Sequence, residues 1–176
     1  MHCCCAPCSA AVVEWLLAEG IRPALFFFNP NIYPQTEYDI RKTELTRFAL
    51  QQGVEVIDGD YRHDEWLQHV AGLDREPEHG ARCLQCFRMR MLATARLAHE
   101  RGVTRFATTL ASSRWKSLDQ IAQAGNWAAA QYAGIEFWEK NWRKDGLNER
   151  RNELLKIHGF YNQTYCGCEF SLKKKL

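Results

Sequence analysis

The sequence predicts a single α/β domain: a layered fold with a mostly parallel sheet flanked by helices. Three observations carry that reading. Short apolar runs at 24–28, 54–57, 105–110 and 135–138 alternate with longer stretches of helical periodicity. The first run, Ala24-Leu-Phe-Phe-Phe28, is continuously apolar, as in a strand covered on both faces. The 176 residues, 46% of them hydrophobic, suffice for one core, with no internal repeat and no low-complexity linker to mark a second.

The elements follow in order. Ser9 caps a predicted helix over 9–19, with Val12, Val13, Leu16 and Leu17 on one face and Gly20 as its stop. Asn29, Pro30 and Pro34 end the first strand, and a helix is predicted over 36–51 with Tyr38, Leu45, Phe48 and Ala49 in the core and Gly53 behind it. Val54-Glu-Val-Ile57 is a short strand followed by Asp58 and Asp60, carboxylates placed where open α/β sheets hold ligands. A short helix over 63–73 carries Trp66 and Leu67, and a polar loop leads to Cys83-Leu-Gln-Cys86 at the head of a long helix over 87–99. A strand at 105–110, a helix over 117–133, a strand at 135–138 and a helix over 147–158 complete the pattern before the tail. Such a fold wants a strand ahead of the first helix, yet the chain opens directly on cysteines. The expectation is a shortened first strand or a start lying upstream.

Eight cysteines fall in three clusters: Cys3, Cys4, Cys5 and Cys8; Cys83 and Cys86; Cys166 and Cys168. A disulfide framework belongs to small secreted domains without a core, and this chain has no secretory h-region. Inert core cysteines have no reason to gather at such spacings. Metal ligation does, because closely spaced thiolates on short turns converge to complete a coordination shell. The first two clusters adjoin predicted helix N-termini, whose free N–H groups stabilise thiolates and anionic clusters. Spacing alone leaves iron–sulfur and zinc both open.

The net charge of +2 says nothing of nucleic acid. Its distribution says more: residues 140–176 hold nine Lys and Arg against four acids, so the C-terminal fifth carries the positive field. No apolar run approaches the roughly 20 residues needed to span a bilayer. The expectation is a cytoplasmic protein with reduced thiols and no membrane partner.

Taken together, His2-x-Cys4-Cys5-Ala-Pro-Cys8, Phe28-Asn-Pro-Asn31-x-x-Pro34-x-x-Glu37-Tyr38, Arg82-Cys-x-x-Cys86-Phe, Thr108-Thr-Leu110 and Tyr165-Cys-Gly-Cys168 resemble the QueH-type epoxyqueuosine reductases, from residue 2 to about 171. The resemblance implies reduction of epoxyqueuosine to queuosine at the wobble position of tRNA, the last step of queuosine biosynthesis. It implies a [4Fe-4S] cluster beside a mononuclear iron, held largely by Cys4, Cys5, Cys8, Cys83, Cys86, Cys166 and Cys168. It also implies an adenine-nucleotide α-hydrolase-like, Rossmann-like fold with the metal site at the C-terminal edge of the sheet. Cys3 is a spectator in this reading. The sequence departs from the family at Asn141-Trp142-Arg143, where Asp-Phe-Arg is expected, and at Asn162, where Arg is common.

Within that resemblance, Cys83 and Cys86 with two thiolates from the terminal motifs are expected on the cluster, and the remaining thiolates on the single iron. Tyr165 and Asp60 are candidate proton donors. Anticodon loops are read by stacking on aromatics while basic residues hold the backbone, which singles out Arg114-Trp115-Lys116, Trp142-Arg143-Lys144 and Arg150-Arg151. An electron donor must exist and is not identified by the sequence. Two rivals remain: a zinc-stabilised RNA-binding module without catalysis, and a thiol–disulfide redox protein using Cys83 and Cys86.

Overall fold

A computed structural model describes residues 1–172. Lys173, Lys174 and Lys175, part of the basic tail counted above, lie outside the described residues. Six α-helices and four short strands alternate along the chain: α1 (Ala6–Ala18), β1 (Leu25–Phe27), α2 (Gln35–Gln51), β2 (Val56–Asp58), α3 (His63–His69), α4 (Ala81–Glu100), β3 (Arg105–Phe106), α5 (Leu118–Ala129), β4 (Glu136–Phe137) and α6 (Leu147–Ile157). Every pairing is parallel: β1 lies on β2 with Phe26 opposite Ile57, and β3 on β4 with Phe106 opposite Phe137.

The opening residues fill the gap between the two pairs. His2 bridges in parallel to Phe26 on one side and to Thr108 on the other. The ladder is continuous there: Cys3 donates to the Phe26 carbonyl at 2.9 Å and His2 to the Ala107 carbonyl at 2.9 Å. The spatial order is therefore β2, β1, residues 1–3, β3, β4. Residues 1–3 thus occupy the place of the expected first strand.

The strands are shorter than the apolar runs suggest, because the ends of those runs turn toward the helices. The 105–110 run is a strand only at its start; Thr108 then caps a 3₁₀ turn, Thr109–Ser112, its hydroxyl accepting the Leu110 N–H at 3.1 Å. The first helix begins three residues before the expected cap. Pro7 lies in its first turn, where a fixed φ favours helix, and Ser9 instead donates to the Cys5 carbonyl at 2.8 Å. Its end is as expected: Gly20 has φ +75, and the N–H groups of Gly20 and Ile21 return to the Leu17 and Leu16 carbonyls, a Schellman closure.

The helices cover the sheet. α1 packs against α2 and α6, and α4 against α5. Leu25, Phe27, Leu45, Phe48, Met91 and Ile121 form the main core, each full burial being worth ~1.5–3 kcal/mol. At Gly125 an added Cβ would meet the Phe137 ring at 2.4 Å, so α5 crosses β4 closely because that position has no side chain. A satellite cluster of Trp66, Val70, Cys86 and Cys168, with Phe170 against it, docks the tail onto α3 and α4.

Candidate metal centre

The thiols form two sets. In the first, Cys4, Cys5 and Cys8 are buried and their sulfurs lie within 4.8 Å of one another. Cys5 is the residue before α1, and Pro7 starts the helix early enough to put Cys8 in its first turn. The Cys4 and Cys5 sulfurs are 3.7 Å apart. A metal–sulfur bond near 2.3 Å in tetrahedral geometry places sulfurs about 3.8 Å apart. These thiols resist joint ionisation: burial and its two neighbours push Cys5 well above the usual thiol range, while Cys8, receiving hydrogen bonds from both, falls well below it. A bound cation removes that conflict by replacing the protons.

The second set is assembled from distant segments. Cys83 and Cys86 stand one turn apart near the start of α4, and Cys166 and Cys168 come from the tail; all four line one cavity with Trp66, Arg82, Arg90, Trp115 and Lys116. Gly167 makes the tail turn possible, with φ +120 and a neighbouring Arg41 Nη1 that an added Cβ would approach to 2.9 Å. Arg41, salt-bridged to Glu37 at 2.7 Å, donates to the Cys166 and Tyr165 carbonyls at 3.2 and 3.4 Å. Burial pushes Cys83, Cys86 and Cys168 upward. Burial alone would push Cys166 up too, but the Lys116 ammonium, with Arg90 and Arg41, holds it below the usual range.

Lys116 joins the two sets. Its Nζ donates to the Cys166 sulfur at 2.9 Å, and its charge is also felt at Cys4. Arg90 is buried beside it, donating to Asn29 Oδ1, with its Nε 3.3 Å from His2 Nε2. His2 Nδ1 is 2.8 Å from the Thr108 hydroxyl and Nε2 is 3.1 Å from the Phe28 carbonyl. Burial, reinforced by Arg90, lowers the His2 pKa to about 3, so the ring is neutral.

The other predicted residues are scattered. The Tyr165 hydroxyl donates to the Tyr33 carbonyl, and Asp60 is exposed and pairs with Arg62 at 3.3 Å. Neither lines the thiol cavity. Arg114 lies over the Trp115 ring at 4.7 Å, and Trp115 is 67% exposed at the cavity mouth. Trp142 is only 1% exposed and bonds the Thr108 carbonyl, so it belongs to the core. Arg143 donates to the Ser113 and Lys116 carbonyls at 2.5 and 2.6 Å, which shapes the loop before α5. Lys144 is exposed, Arg150 pairs with Glu14 at 2.8 Å, and the charge of Arg151 is felt at Cys8. Sequence reasoning gave no site role to Arg41, Arg90 and Trp66. Arg90 had a signal in its four-residue spacing from Cys86 along one helix face; Arg41 and Trp66 had none.

A sequence profile described as "Epoxyqueuosine reductase QueH" matches residues 1–174. The chain belongs to the QueH family. The QueH protein of Acinetobacter baylyi is 47% identical over 173 residues, covering 98% of this chain and 79% of the relative. That of Haemophilus influenzae is 46% identical, covering 98% of this chain and 71% of the relative. The more distant QueH of Thermotoga maritima is 35% identical over 179 residues, covering 99% of this chain and 90% of the relative. Each of these relatives is named an epoxyqueuosine reductase. Among the described residues, no helix is long and apolar enough to cross a membrane.

Proposed function

We propose that this protein is an epoxyqueuosine reductase, converting epoxyqueuosine to queuosine at the wobble position of tRNA in the cytoplasm. The observation that carries the reading is the pair of adjacent thiol sets that meet at Lys116. Both C–O bonds of the epoxide break, a C=C bond forms, and the oxygen leaves as water. The balance is two electrons, from a one-electron carrier of low potential, and two protons.

The donor set suits two metal centres. Cys4, Cys5 and Cys8 match a single iron in number and spacing. Cys83, Cys86, Cys166 and Cys168 supply the four thiolates of a [4Fe-4S] cluster. Among the described residues Arg82 Nε is a buried donor on that wall without a partner, and Trp66 favours the thiolate of Cys86; both donors would suit the sulfurs of an anionic cluster. The sequence left open which of Cys4, Cys5, Cys8, Cys166 and Cys168 serves which centre; the shared cavity favours giving both tail thiols to the centre of Cys83 and Cys86. When bound, the cluster relays electrons singly and an iron with an open position polarises the epoxide oxygen.

The sheet order supports a doubly wound, Rossmann-like fold. Strand succession reverses at the central residues 1–3, and ligands of such sheets sit at that switch point beyond the strands' carboxyl ends, where Cys4 and Cys5 follow. The chain's own groups then divide the work. Arg90, Arg41 and Lys116 offset thiolate charge, and Trp66 and Phe170 keep water from the second set. Trp115, with Arg114 over its ring, receives the single-stranded loop at the mouth.

Anaerobic reconstitution with iron and sulfide, followed by assay on tRNA carrying epoxyqueuosine, tests the proposal. The expected result is a brown protein, absorbing broadly toward the blue, that forms queuosine. A colourless, zinc-loaded protein that binds tRNA without turnover would support the non-catalytic RNA-binding module instead.

A further inference from the structure

Lys116 was expected on an RNA-binding surface, directly after Arg114 and Trp115. Its neighbours do face outward, but Lys116 itself is buried, and its ammonium lies against the Cys166 sulfur at 2.9 Å. The loop that carries it is held from both sides. Arg143 bonds the carbonyls of Ser113 and Lys116, and His79 Nε2 lies 2.7 Å from the Trp115 carbonyl. Ser117 caps α5 immediately afterwards, its hydroxyl accepting the Gln120 N–H at 3.3 Å. An exposed lysine would have a flexible four-carbon stem; this one is aimed by a fixed backbone.

Among the described residues no carboxylate is within ion-pair distance of that ammonium. Its hydrogen bond goes to the Cys166 sulfur. A buried ammonium needs a matching acceptor, and the one the fold supplies is the Cys166 sulfur. The dependence is mutual. A donor hydrogen bond and a full positive charge at a ligand sulfur withdraw electron density from it, and such bonds are among the levers that set the potential of thiolate-bound iron.

We infer that Lys116 is a positioning residue for the metal centre, not an RNA contact: it fixes the Cys166 sulfur as a ligand and, through that hydrogen bond and its charge, raises the reduction potential of the centre Cys166 helps to hold. The inference rests on the proposed assignment of Cys166 to the cluster.

The test compares reconstituted wild type, Lys116→Met and Lys116→Arg by redox titration monitored by electron paramagnetic resonance, with iron and sulfide content and tRNA affinity measured in parallel. Lys116→Met removes donor and charge at nearly constant volume; Lys116→Arg keeps both. The expected result is a more negative midpoint potential in the Met variant, a potential near wild type in the Arg variant, and tRNA affinity unchanged in both. Loss of the cluster from the Met variant with retention in the Arg variant also supports the inference. An unmoved potential in Lys116→Met overturns it, as does loss of the cluster from both variants. Weakened tRNA binding with an unmoved potential would restore the RNA-contact role. If wild type itself assembles no cluster, the underlying reading of the site fails instead, a result separable from all of these.

Discussion

The two thiol sets differ in how they are built. Cys4, Cys5 and Cys8 lie within five residues, positioned by one turn and the start of α1. Cys83, Cys86, Cys166 and Cys168 need α4 and the tail to meet, and the tail is held by Arg41, by the Tyr33 N–H donating to the Gly167 carbonyl at 2.8 Å, by Lys116 and by the packing of Phe170 under Arg82. The first set is a property of local chain geometry, so it survives most changes elsewhere. The second exists only in the folded molecule, so under the proposed assignment its metal loading would be coupled to the docking of the tail.

The largest expected effect separates the sets outright. Replacing Cys166 and Cys168 by Ala should abolish turnover and remove acid-labile sulfide while leaving a single bound iron. Replacing Cys4, Cys5 and Cys8 should also abolish turnover but leave the sulfide in place. Iron and sulfide analysis of the reconstituted variants reads both; loss of all metal from either one would mean that the sets form a single centre.

Arg41→Met sharpens the comparison further. It leaves the buried Glu37 carboxylate with only the Tyr161 hydroxyl as partner and frees the carbonyls of Tyr165 and Cys166. Breaking one partner of a buried ion pair costs ~3–5 kcal/mol, so the unfolding midpoint should drop clearly, and sulfide retention should fall more than retention of the single iron. Adding Glu37→Gln should recover part of the lost stability. No recovery would show that the bonds to the tail, rather than the ion pair, carry the effect.

Gly167→Ala acts on the same tail with a smaller perturbation. Forcing a side chain into φ +120 costs ~1–3 kcal/mol, and its Cβ crowds Arg41 Nη1. Sulfide should be lost faster on dilution into chelator than from wild type, with the single iron unaffected. Equal loss rates would remove the claim that this turn places the tail thiols.

The same contrast explains how much could be read beforehand. Helix α2 and its buried Tyr38, Leu45, Phe48 and Ala49 followed from periodicity because they face one continuous core. The first thiol set was legible because its spacing is its geometry. The early start of α1 was missed because Ser9 offered a cap signal while Pro7 fixed the actual first turn. The companionship of Cys166 with Cys83 was hidden because it is set by Arg41, far away in sequence, and by a glycine conformation. Trp142 and Lys116 looked like RNA contacts because composition cannot tell which way a side chain turns; one fills the core and the other meets a sulfur.

The exposed counterpart of those buried residues gives the smallest effect on the protein itself. Trp115 stands at the mouth of the second set with Arg114 over its ring, 4.7 Å from the centroid. It can offer its free face to an unstacked base. Trp115→Ala should leave thermal stability within about 0.5 kcal/mol, as at other exposed positions. Base stacking on an aromatic is worth ~1–3 kcal/mol, so affinity for an anticodon stem-loop should fall roughly 5- to 150-fold, with Trp115→Phe restoring much of it. The potential of the bound cluster should not move, unlike that of the Lys116 variant one residue away. Unchanged stem-loop affinity in Trp115→Ala would place the RNA elsewhere and leave Lys144 and the α6 arginines as the basic surface to examine.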